Sequence, residues 1–167
     1  MRNHRLVILL FAAATTTSGG LTAASPAQAE DPIVKLVSVA NAKCLQPVDG
    51  STALGAAIVQ EPCNGNLAQQ WTVALVSSTK VRLVNRFSHL CLDARGKAVN
   101  GTPIQQWACT RITNVNWNFG ITNNLLSSGI SNTFSHCVAT PGTQDGLPME
   151  LRFCDGNPAQ LWNRPNG

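Results

Sequence analysis

The chain has no tyrosine, and only 5% of it is aromatic. Charged residues make up 12%, about half the usual quarter. A 44% apolar content nonetheless excludes a disordered chain. Basic charge is scarce and scattered. Without Arg2 and Arg5, which lie in a leader expected to be removed, ten basic residues face eight acidic ones. No basic stripe exists to bind nucleic acid. The longest unbroken apolar run, Leu6 to Ala14, is too short to span a bilayer, so membrane insertion is not expected. No stretch keeps a helical apolar period over three turns. Phosphate loops, zinc motifs and C-x-x-C pairs are also missing, so no cofactor is expected. The acids are scattered, and Glu61 and Glu150 have no evident partner for glycoside hydrolysis.

What is present begins with an address. Arg2, His4 and Arg5 precede the apolar run, and small residues follow down to Ala27-Gln28-Ala29. Charged start, short apolar core and A-x-A site together predict a secretory signal peptide over 1–29, cleaved after Ala29, and a secreted single domain over 30–167. An oxidising compartment makes the six cysteines candidates for disulfides.

The cysteines fall at 44, 63, 91, 109, 137 and 154, and Trp71, Trp117 and Trp162 each stand eight residues after the second cysteine of a pair. That phase divides the domain into three units of about 46 residues, near 33–79, 80–123 and 124–167. Each opens with a β-rich run: Ile33 to Val39, Lys80 to Asn85 and, less clearly, Leu125 to Ser131. A Cys-apolar pair, a turn-rich stretch, a second apolar run with the second Cys, and the Trp follow. Short strands punctuated by Gly, Pro, Asn and Asp predict an all-β protein. One unit is too small to bury its own apolar face, so three must share a core. Six cysteines allow 15 connectivities. The threefold repetition favours Cys44–Cys63, Cys91–Cys109 and Cys137–Cys154, with a metal cluster as the rival.

Leu90-Cys91-Leu92-Asp93, the stretch Gly101 to Cys109, and the triplets Gln69-Gln70-Trp71 and Gln160-Leu161-Trp162 resemble the ricin-type lectin domain, the Q-x-W family. In the second unit the triplet reads Val115-Asn116-Trp117, with the Gln lost. The resemblance implies a β-trefoil of three pseudo-threefold repeats, one disulfide per repeat, with Trp71, Trp117 and Trp162 in the core. It also implies up to one sugar site per unit. The four positions are an Asp two after the first Cys, a Gln four before the second, an aromatic two before it, and an Asn just ahead of the Q-x-W. A pyranose packs its C–H face on a ring, and its hydroxyls suit a carboxylate and amides.

Only the second unit has all four, as Asp93, Gln105, Trp107 and Asn114. The first has Gln46, Val59, Glu61 and Ala68, and the third has Ala139, Glu150, Arg152 and Ala159. Ser88-His89 and Ser135-His136 invite a Ser/His reading, but neighbours in a turn rarely make the needed hydrogen bond. The reading is then a stand-alone, non-enzymatic carbohydrate-binding protein with one working site. Its partners would be glycans, galactosides or plant or microbial polysaccharide such as xylan. The alternatives are a trefoil protein-interaction or protease-inhibitor module, or the binding partner of a separate hydrolase or toxin chain.

Overall fold

The computed structural model describes residues 31–110, 113–119, 125–127 and 135–167. The leader and its cleavage site lie outside these residues, as does the end of the run Leu125 to Ser131. Regular structure among the described residues is strand, apart from short 3-10 turns.

The strands are β1 (Ile33–Lys35), β2 (Val37–Ser38), β3 (Cys44–Pro47), β4 (Ile58–Glu61), β5 (Gln70–Leu75), β6 (Val81–Asn85) and β7 (Cys91–Ala94). They continue as β8 (Ile104–Trp107), β9 (Trp117–Phe119), β10 (Leu125–Ser127), β11 (His136–Ala139), β12 (Glu150–Phe153) and β13 (Trp162–Asn163). The first β-rich run is thus two strands with different partners: β1 pairs with β5, and β2 with β3 and β13. Between them stands Leu36, fully buried.

Three hairpins repeat one register. Cys44 faces Glu61 and Gln46 faces Val59 in β3–β4. Cys91 faces Trp107 and Asp93 faces Gln105 in β7–β8. Cys137 faces Arg152 and Ala139 faces Glu150 in β11–β12. The disulfides are Cys44–Cys63, Cys91–Cys109 and Cys137–Cys154, each within one unit. A loop of this size contributes about 3 kcal/mol in the chain-entropy model. Bonding of all six cysteines removes the metal-cluster alternative.

The core forms where the units meet. Trp71, Trp117 and Trp162 are fully buried, among them Leu45, Leu92 and Leu151. Each indole would leave a costly orphan N–H in that setting. Each instead donates to the carbonyl of the residue after its unit's first cysteine: Trp71 to Leu45 (3.2 Å), Trp117 to Leu92 (2.9 Å) and Trp162 to Val138 (3.0 Å). Burying a ring of this size is worth roughly 4–6 kcal/mol by area.

The units also dock in a ring through their turn loops. Gly55 N–H donates to the Gln106 carbonyl (2.9 Å), Gly101 to Leu151 (2.8 Å) and Gly146 to Gln60 (2.9 Å). Return bonds run from Gln106 to Ala56, Leu151 to Thr102 and Gln60 to Leu147. The three glycines have φ of 78°, 85° and 74°, a region closed to most side chains. Each hairpin therefore carries the preceding unit's loop along its second strand. The fold is a β-trefoil, as the resemblance implies.

Candidate functional site

The second hairpin brings the four sequence-selected residues together. Strand alternation puts Asp93 of β7, and Gln105 and Trp107 of β8, on one face. Asp93 and Gln105 face each other in register, and the Gln105 amide donates to Asp93 Oδ2 at 2.7 Å. Trp107 is 38% exposed, unlike the three core tryptophans. Asn114, in the 3-10 turn Thr113–Val115, donates to the carbonyls of Ala94 (3.1 Å) and Gly96 (3.4 Å), just past Asp93. That tie holds it against the end of β7.

The carboxylate is under strain of a chemical kind. Asp93 is 3% exposed, and its Oδ1 is buried with no hydrogen-bond partner. Burial raises its pKa from the ordinary 3.8, partly offset by the bond from Gln105. A buried acceptor left unmatched costs about 1–3 kcal/mol, so the site holds an acceptor for which the protein offers no donor.

The lost Gln of the Q-x-W explains part of this. In the first unit Gln69 donates to Pro62 O and to Gln46 Oε1, both at 2.9 Å, and accepts from Asn64 N–H. In the third, Gln160 donates to Phe153 O and accepts from Asp155 N–H. Both clasp the residues flanking the second cysteine. Val115, fully buried, can do neither. The equivalent groups bond each other instead, Thr110 N–H to the Ala108 carbonyl at 2.7 Å. Gln46, at the position of Asp93, receives a donor from Gln69; Asp93 receives none from Val115.

The other two units are built differently. Where Asn114 closes on backbone carbonyls, Ala68 and Ala159 leave clefts of about 440 and 380 Å³. The third-unit cleft is lined by Glu150 and Arg152, which pair with each other at 2.6 Å. Exposed rings border both, Phe87 in the first and Phe153 in the third. Neither lies at the repeat's aromatic position, and the repeat phase gave no signal for them.

The serine–histidine pairs diverge. Ser88 donates to Gln106 Oε1 (2.7 Å), whereas Ser135 Oγ lies 3.0 Å from His136 Nδ1, a contact the sequence argued against. His136 is in β11 rather than in a turn, and its ring packs edge-on against Phe153.

A family model described as ricin-type beta-trefoil lectin domain-like matches residues 23–107, about half of the chain. No curated protein sequence matches significantly. Among solved structures, a designed threefold symmetric protein, ThreeFoil, superposes with a TM-score of 0.74 at 23% identity, over 81% of this chain and 99% of that one. The exo-beta-1,3-galactanase 1,3Gal43A from Clostridium thermocellum gives 0.72 at 25% identity, over 81% of this chain but 30% of the enzyme. The Macrolepiota procera ricin B-like lectin in complex with lactose gives 0.68 at 17%, over 84% of this chain and 99% of that one. With its three phased units, repeated hairpin register and matching family model, the chain belongs to the ricin-type beta-trefoil lectin domain-like family.

Proposed function

We propose that this protein is a secreted carbohydrate-binding protein, a lectin without enzymatic activity, with one working sugar site in its second unit. The observation that carries this is the unmatched Oδ1 of Asp93 on the same hairpin face as the half-exposed Trp107 ring. A sugar hydroxyl supplies the missing donor, and the C–H face of the same ring packs on the indole. Gln105 and Asn114 add amide contacts beside the carboxylate. Because Asp93 and Gln105 are both buried and bonded to each other, a ligand reaches the carboxylate only as the Gln105 side chain moves aside.

The sugar class follows from these contacts only as far as vicinal hydroxyls beside an apolar face. Galactosides are the first candidates, since one similar structure holds lactose and another is a galactanase; xylan-type polymers come second. Export follows from the leader, and amino-terminal sequencing of the exported protein should begin at Glu30. The functional test is a glycan array probed with the parent, Asp93→Ala and Trp107→Ala. Binding by the parent alone supports the reading. Binding by no form leaves a protein-interaction module, and glycan cleavage would make the protein an enzyme.

A further inference from the structure

The ring of loop contacts gives the second-unit site a wall from the first unit. We propose that loop 51–56 completes this site, and that the site takes two linked sugar rings, the first on Trp107 and the second over Leu54. The proposal rests on the lectin reading and deepens it.

Three observations carry it. First, the loop is fastened to β8 rather than merely near it. Gly55 and Gln106 exchange backbone bonds, and the fully buried Gln106 amide donates to the carbonyls of Ser51 (2.8 Å) and Ala53 (2.9 Å). Its oxygen is held in turn by Ser88. Second, the fastened loop meets the site itself. A β-carbon on Gly55 would stand 3.6 Å from Trp107 Cζ3 and 3.8 Å from Gln105 Oε1. The space a side chain would fill at Gly55 is thus bordered by both the platform and the amide.

Third, the repeat shows what the residue before that glycine does. Leu54, Asn100 and Asp145 are equivalent, each immediately preceding the docking glycine. Asn100 borders the third-unit cleft with Glu150 and Arg152, and its Oδ1 accepts from Phe153 N–H at 2.6 Å. Asp145 pairs with Lys43 of the first hairpin. At both boundaries this residue reaches the next unit, and at the third unit it borders the cleft. In the second unit the position is Leu54, 55% exposed and apolar. It offers no polar group, and it adjoins Gly55, the residue that faces Trp107. An apolar step beside a stacking ring suits the C–H face of a second pyranose.

The test is calorimetric titration with two matched pairs, galactose with lactose and xylose with xylobiose. For the pair that binds, the disaccharide should bind about tenfold more tightly than its monosaccharide, the gain expected from partly covering one leucine. Leu54→Ser should erase that gain and leave the monosaccharide affinity unchanged. Leu54→Met should keep it. Leu54 is exposed, so both variants should melt like the parent. Equal affinity of monosaccharide and disaccharide, or a Leu54→Ser protein that retains the gain, overturns the inference while leaving the lectin reading intact. Failure of all four sugars to bind overturns the inference, and failure of every glycan on the array overturns the lectin reading as well.

Discussion

Gln105 and Asp93 stand opposite each other on β8 and β7, and their 2.7 Å bond satisfies Oδ2 while Oδ1 stays buried without a donor. The pair is stable enough to hold the carboxylate in place and incomplete enough to receive a ligand. The expected chemistry follows from that incompleteness.

Asp93→Ala and Trp107→Ala should each abolish measurable sugar binding. The first removes a charge-assisted acceptor from a small ligand with few other contacts; the second removes the stacking face. Gln105→Ala and Asn114→Ala should each weaken binding by about 1 kcal/mol, because neutral hydrogen bonds exchange with water. Calorimetry on variants that melt cooperatively checks the order.

The pH dependence should carry the signature of Asp93. Its pKa is raised by burial above the ordinary 3.8. Between 3.8 and the folded value the folded state therefore holds more protons than the unfolded state. Stability from this group falls as pH rises through that window, by proton linkage. Sugar binding runs the other way: it needs the carboxylate and should be lost as pH falls through the same window. Asp93→Asn should flatten both dependences and should not lower the melting temperature at neutral pH. Melting and binding curves from about pH 3.5 to 7 distinguish these outcomes.

Trp71→Ala should destabilise by roughly 3–5 kcal/mol, through lost burial and a cavity, and should also orphan the Leu45 carbonyl. Trp162→Ala should behave alike, orphaning Val138 O. Chemical denaturation measures both. Unchanged stability with lost sugar binding would move these rings from core to site.

Much of this was legible because the chain states it three times. The phase of cysteines and tryptophans carries the units, the disulfide pairing and the buried indoles, each a local consequence of one spacing. Asp93, Gln105 and Trp107 were legible through the family resemblance, whose site positions they fill, and alternation along the hairpin explains why they share a face. What the sequence hid depends on contacts between units. Nothing local marks Gly55 as a neighbour of Trp107, since the contact arises from docking of one unit on the next. Loss of the Gln at Val115 is plain in the sequence, but its consequence is not. Its effect is subtler, because Thr110 and Ala108 close the gap between themselves while Asp93 is left without a donor. Phe87 and Phe153 escaped notice because they stand outside the repeat's aromatic position, beside clefts opened by Ala68 and Ala159.

The single working site proposed for the second unit also sets the expected strength of binding. A monosaccharide offers about twelve heavy atoms, and at roughly 0.3–0.4 kcal/mol per atom its dissociation constant is on the order of 1 mM. Arg152→Ala and Glu61→Ala, at the aromatic positions of the other units, should leave that affinity unchanged. Tight binding to cells or polymers would then reflect several copies engaging at once.

The most direct measurement is calorimetric titration of folded parent and Trp107→Ala with a sugar that scores on the array. One site per chain in the parent, and none in the variant, is the expected result. Two or three equivalent sites, or a Trp107→Ala protein that binds like the parent, would contradict it.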